Sequence, residues 1–134
     1  MIGELSGNIL DAVLETIPIE FSVVDAGDKV LAWNKHDTRI LKRPLGALGL
    51  DVHNCHPKRS VDKVEQILGE MKEGVRDTAR FWIDLPLGVN KEKHKLLIRY
   101  FALRDGDGKY LGCLEVTQDI SDIQQIKGEK RLLD

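Results

Sequence analysis

His53, Cys55 and His56 fall within four consecutive positions of the chain, and imidazole and thiolate side chains at that density can ligate a metal. Haem iron takes an imidazole or thiolate axial ligand, so His53 or His56 would serve as the proximal one, with Cys55 beside them. Zinc asks for four donors in a tetrahedron; the cluster supplies three, and His94, Cys113 or Asp51 would have to supply the fourth. A plainer reading competes: one histidine caps the following helix, the other bonds a backbone carbonyl, and Cys55 fills a small space in the core. The same trio could serve nucleophilic catalysis, with Cys55 attacking and a histidine as base. No oxyanion-type glycine motif and no third orienting group accompanies it, however, and no glycine-rich phosphate loop opens a helix. The chain reads as a non-enzyme.

A second set of residues fits an organic ligand without a metal. Trp33, Trp82, Tyr100 and Cys113 are candidate walls of an apolar cavity, with Phe101 as a further aromatic and Arg99 or Arg104 as an anion contact;. Ordinary sheet packing explains the aromatics equally, and a strand arginine usually faces water. Period two places Phe81 and Trp82 on opposite faces of one strand, and Tyr100 and Phe101 on opposite faces of another, so one of each pair at most lines a given cavity. His36 and His94 stand alone among polar neighbours and read as surface residues; Cys113, flanked by Gly112 and Leu114, reads as buried and inert;.

The elements that must position these residues follow from periodicity. Leu10, Val13, Leu14 and Ile17 mark one face of a helix that Ser6 caps and Pro18 stops;. Phe21 to Asp25 and Lys29 to Trp33 form a hairpin about a glycine turn. Asn34 predicts the N-cap of a short helix through Ile40 and Leu41, and Pro44 to Pro57 reads as turns. Val61, Val64, Leu68, Met71 and Val75 give the longest helix, with Gly74 at its end;. From Thr78 the period changes to two, and the Asp105-Gly-Asp-Gly108 turn joins the last two of three strands. Ile123, Ile126 and Leu133 predict a closing helix with weak heptad spacing. The expected fold is α+β: one five-stranded antiparallel sheet with helices on one face and flanking helices at both ends. The expected divisions are 1–18, an amphipathic helix; 19–120, the core domain; and 121–134, a signalling or interaction helix.

Composition narrows the classes. The 134 residues are 42% hydrophobic and 31% charged, enough for one core without disulfide or metal support;. Twenty basic against twenty-two acidic side chains give a net charge of −2, which argues against a nucleic-acid partner;. No apolar run approaches the roughly 20 residues of a membrane span. With two cysteines far apart and no basic leader, a reducing cytoplasm is the expected location;.

This order of elements resembles the PAS domain. Phe21 to Asn34 is similar to the opening PAS hairpin with its Trp-Asn ending, and Gln118-Asp119-Ile120-Ser121 resembles the Asp-x-Thr signature after the last strand, with serine keeping the hydroxyl. Val52-His-Asn-Cys-His-Pro57, Phe81-Trp-Ile83, Arg99-Tyr-Phe-Ala-Leu-Arg-Asp105 and Gly128-Glu-Lys-Arg-Leu-Leu133 resemble, more closely, the C-terminal PAS-like domain of a bacterial and archaeal family that also carries a hemerythrin-like region. No hemerythrin-like run precedes Met1, so an excised domain or a short relative is expected. The resemblance implies a sensory module that holds a small ligand or cofactor in the cavity between its sheet and short helices, with haem through His53 or His56 as the candidate. The alternatives are a sensor of a small organic ligand or a cofactor-free interaction and dimerisation module. The resemblance also implies a homodimer, and a signal passed through the terminal helices to a further partner. The flavin-attaching Asn-Cys-Arg-Phe-Leu-Gln run of light-sensing relatives is absent.

Overall fold

The computed structural model describes residues 1–55 and 58–133, with side chains for all of these except 54, 55, 58 and 59. Helix α1 covers Gly7–Thr16, and the Ser6 hydroxyl accepts a hydrogen bond from the Ile9 amide as its N-cap;. Strands β1 (Glu20–Asp25) and β2 (Val30–Trp33) form the hairpin, whose turn is closed by the Asp25 carboxylate accepting from the amides of Gly27 and Lys29. Helix α2 (Lys58–Lys72) buries Val64, Leu68 and Met71, the row expected from spacing, and Gly74 at φ +76° ends it;. Val75 lies past that end and is exposed.

Strands β3 (Thr78–Leu87), β4 (Glu92–Arg104) and β5 (Tyr110–Asp119) follow as an antiparallel meander. The single sheet has the order β2-β1-β5-β4-β3, so the last strand lies in the middle, hydrogen bonded to β1 on one side and β4 on the other. Its register stacks side chains in rows across the inner face. Tyr100 lies opposite Glu115, which lies opposite Ser22; Ile98, Thr117 and Glu20 form the next row; Ala102, Cys113 and Val24 form the third;. Helix α2 covers the third row, and Val24, Val30, Val52, Leu68, Met71 and Cys113 make the core there. The expected α+β architecture, one antiparallel sheet of five strands, is the observed one.

Two expectations at the ends of segments differ. Asn34 caps no helix. Its Oδ1 accepts from the Phe21 amide (2.8 Å) and its Nδ2 donates to the carbonyls of Leu14 (2.7 Å) and Ile19 (3.1 Å), so the side chain ties the end of α1 to β1. The following segment contains short 3-10 turns at Leu45–Ala47 and Val52–Cys55 instead. The helix expected over 121–134 is one 3-10 turn, Ile123–Gln125, with irregular chain beyond it to 133. Gly128 there takes φ +66°, and Ile126 and Leu133 are exposed. A helix this short needs packing to persist, and residues 122–133 are all exposed;. Helix α1 likewise buries no residue; besides Asn34, Lys35 holds it, its amide donating to Glu15 Oε2 (2.8 Å) and its Nζ to the Glu15 carbonyl (2.7 Å).

Candidate ligand cavity

Over the first two rows of the inner face α2 stands away from the sheet, and a cavity of about 1240 Å³ opens between them. Ser22, Tyr100, Glu115 and Thr117 form a polar floor, flanked by Phe81 and Ile98. Val64 and Ile67 of α2 make one wall, and the segment from Arg39 to Leu50 makes the other.

Arginines moor that segment to the floor. Arg39 donates from Nε to the Leu41 carbonyl (3.0 Å), from one terminal nitrogen to the carbonyls of Phe21 and Asn34 (both 3.0 Å), and from the other to Ser22 Oγ (3.4 Å). Glu20, 3.9 Å from Arg39, accepts from the amides of Ile40 (2.8 Å) and Leu41 (2.9 Å), so carboxylate and guanidinium hold the same turn from two sides. Arg43 donates from Nε to Ser22 Oγ (3.0 Å) and forms an ion pair with Glu115 at 3.1 Å. Burial lowers the Arg39 pKa, against the upward pull of Glu20;. Tyr100, also on the floor, meets the edge of Phe81 with ring centroids 5.5 Å apart.

The profile of the PAS domain matches residues 10–121. The chain belongs to the PAS domain family.

Solved structures agree with the PAS assignment. A C-terminal domain from Streptococcus mutans has 26% identity and a TM-score of 0.82, with 95% of this chain and 94% of that one covered. The PAS domain of Bordetella pertussis BvgS has 13% identity and a TM-score of 0.61, covering 84% and 85%. Vibrio cholerae VqmA, in a structure described as bound to DPO, has 16% identity and a TM-score of 0.60, covering 84% of this chain and 56% of VqmA. No curated protein matches the chain in sequence.

Of the residues expected to line the PAS cavity, Tyr100 does. Trp82 is 60% exposed on the outer face, where Arg80 lies over its ring, because the parity of β3 gives the inner position to Phe81. Trp33 lies at the end of β2, beside a separate shallow hollow, and donates its indole N–H to His36 Nδ1 (3.0 Å). Cys113 is fully buried in the core under α2, where its thiol pKa is pushed up to about 12, chiefly by burial, so it stays protonated;. Neither expected anion contact faces the cavity: Arg104 bonds Asp77 and the Met71 carbonyl, and Arg99 bonds Gln118. The arginines that line the cavity are Arg39 and Arg43.

His53 is on the 3-10 turn before α2 and is not among the cavity-lining residues. Its Nδ1 lies 2.6 Å from Asp51 Oδ1, which also accepts from the His53 amide (2.9 Å). The bond from that amide, with the His53 ring and Lys29 adding to it, holds the Asp51 carboxyl below its usual range against the upward effect of burial. His53 Nε2 is buried and has no hydrogen-bond partner among the described residues. His56 lies outside the described residues, as does the side chain of Cys55. Among the described residues no group of three or more His, Cys, Asp and Glu side chains is placed to hold a metal. His94, read as an isolated surface residue, lies 2.6 Å from Asp119 Oδ2.

Proposed function

We propose that this PAS domain is a sensory module whose ligand is a small organic molecule held between the inner sheet face and α2. The observation that carries the reading is the cavity itself, apolar in its walls and polar on its floor, the combination that orients a bound molecule;. VqmA, which shares the fold, is described as bound to DPO, and this supports a small ligand in the domain. Haem on His53 or His56 is the competing occupant. No described lining residue is a histidine or cysteine, which favours the organic ligand. The closer likeness to PAS-like domains that follow a hemerythrin-like region rests on the Val52 to Pro57, Phe81 to Ile83 and Arg99 to Asp105 motifs.

The signal would leave along β5. A ligand on the floor bears on Glu115 and Thr117, and the same strand ends at Asp119, whose Oδ1 accepts from the Ser121 amide (3.0 Å) while Oδ2 pairs with His94. Ser121 Oγ in turn accepts from the Lys95 amide (2.9 Å), fixing the direction in which the chain departs. Burial opposes ionisation of Asp119, but its bonds to Ser121 and His94 win and hold its pKa below the usual value. A shift of β5 would loosen this clasp and redirect the segment after Ser121, the surface offered to a signalling partner. Among the described residues no helix is long and apolar enough to cross a membrane.

The test is a thermal-shift screen of uncharged and charged small molecules, with haem included. A compound that raises the Tm of the wild type and not of Ile67→Trp, in which the indole projects from α2 into the cavity and narrows it beside Phe81 and Ile98, is the expected result;. A Soret band on haem titration that His56→Ala abolishes would replace the organic ligand by haem.

Pairing of two copies through α1 belongs to the same reading. Ile9, Leu10 and Val13 are 53%, 42% and 40% exposed along one side of a helix anchored only at its end;. Light scattering should give a dimer mass for the wild type and a monomer mass for Leu10→Glu; a wild-type monomer at high concentration would end this part of the proposal.

A further inference from the structure

We infer that β3 pairs edge to edge with β3 of a second copy, antiparallel, about a two-fold axis at Trp82. This contact is separate from the ligand cavity and from α1, which is tied to β1 toward the other edge of the sheet.

Strand β3 closes one side of the sheet and, among the described residues, pairs with β4 alone. The Ala102 amide donates to the Asp77 carbonyl (2.8 Å), which fixes the phase of the ladder: odd-numbered residues of β3 turn their backbone groups to β4, and even-numbered ones turn theirs to the free edge;. The Thr78 carbonyl accordingly lies on the free side, where Arg76 donates to it (3.3 Å), and Pro86, with no amide to offer, falls at an edge-facing position;. Thr78, Arg80, Trp82, Asp84 and Pro86 therefore present the edge. Charges on an edge strand usually repel a second strand, but Arg80 and Asp84 are opposite in sign and stand symmetrically about Trp82;.

Across a two-fold at Trp82, each Arg80 meets the Asp84 of the other copy, Trp82 meets Trp82, and Phe81 meets Ile83. Thr78 meets Pro86, which cannot donate to the Thr78 carbonyl, and that carbonyl is the one Arg76 already satisfies;. Moving the axis to Arg80 or Asp84 would set like charges against each other. Moving it to Phe81 or Ile83 would set Asp84 against Thr78 or Trp82.

The Trp82 register supplies what each chain lacks alone. Arg80 lies opposite Arg99, a like charge, and among the described residues it has no carboxylate partner; its guanidinium rests over the Trp82 ring;. Asp84 gives Oδ1 to Lys95, but its side chain is 52% exposed and has a second oxygen to offer;. Trp82 and Ile83, 60% and 39% exposed, would be covered;. The contact is a single strand pair, small beside a permanent interface, so its dissociation constant should be on the order of 0.1–1 mM and leave no trace in dilute solution.

Sedimentation equilibrium of the whole chain up to about 1 mM tests it, with Leu10→Glu in every protein so that α1 takes no part. The Leu10→Glu protein should dimerise reversibly in this range. Arg80→Asp and Asp84→Arg, both at exposed positions, should each weaken self-pairing at least about tenfold, because like charges then face each other across the axis;. An equimolar mixture of the two variants should pair again, since one chain offers acid at both positions and the other offers base. A Leu10→Glu protein that stays monomeric throughout would overturn the proposal and leave the edge to a strand of a different protein. Self-association indifferent to both charge reversals, or a mixture that pairs no better than its components, would overturn it equally.

Discussion

Gly112→Ala should leave little folded protein, a loss above about 4 kcal/mol, in the range reached only when a mutation cannot be absorbed. Gly112 is on β5, opposite Asp25 of β1 and Leu103 of β4, next to an irregularity in the β4 pairing, with φ at +154°. A Cβ built there would stand 2.1 Å from the Val24 carbonyl oxygen and 3.1 Å from the Asp25 Cα. Both obstacles are backbone. Relief would require β1 to move away from β5, and β5 is the strand through which the hairpin joins the rest of the sheet. A domain with roughly 5–15 kcal/mol of total stability has little room for that displacement. Urea unfolding followed by circular dichroism checks it, with Gly106→Ala as control: a Cβ at Gly106 meets nothing, so that variant should stay within about 0.5 kcal/mol of the wild type;. Equal stability for Gly112→Ala and wild type would mean that the close approach of β1 is not a feature of the folded protein.

Gly112 also illustrates what one sequence conceals. The alternation of Ala79, Phe81 and Ile83, the helical rows of α2 and the Asp105 to Gly108 turn are local patterns, and the fold they imply is the one observed. A glycine required by a strand eighty-eight residues earlier, Val24 against Gly112, leaves no local trace. The cavity floor is concealed for the same reason. Parity limited each aromatic pair to one inward member but did not say which; the register chose Phe81 and Tyr100 and turned Trp82 outward. Arg39 and Arg43 lie in a stretch that reads as a short helix running into turns, and their partners Glu20, Ser22 and Glu115 come from strands at either end of the domain. One signal was available: Glu115 occupies an inward position between Cys113 and Thr117 on an otherwise apolar strand, and a carboxylate there demands a buried cation;. The closing segment differs in the opposite direction, since Ile123 and Ile126 have helical spacing but stay exposed at either end of a single 3-10 turn.

Arg39→Met should cost about 3–5 kcal/mol, the usual result of removing one partner from a buried ion pair. Methionine keeps much of the side chain's length and apolar stem, so little of the loss can be assigned to packing. What disappears is a set of charge-assisted donations to the carbonyls of Leu41, Phe21 and Asn34 and to Ser22, together with the countercharge to Glu20, whose side chain is 5% exposed. Glu20 keeps the amides of Ile40 and Leu41 but is left as a buried anion without its guanidinium. Glu20→Gln should therefore cost less than Arg39→Met, because an amide oxygen can still accept one of those amides. The double variant should be more stable than the sum of the two losses implies, since neutralising Glu20 removes the orphaned charge. Urea unfolding of the four proteins at neutral pH closes the cycle. An Arg39→Met variant within about 0.5 kcal/mol of wild type, or strict additivity, would mean the guanidinium is solvated rather than binding this turn to the sheet. With the predicted loss, the same variant has a functional consequence. The segment from Arg39 to Leu50 walls the cavity, and Arg39 is its principal tie to β1, so Arg39→Met should lose ligand-induced stabilisation at temperatures where it is still folded;.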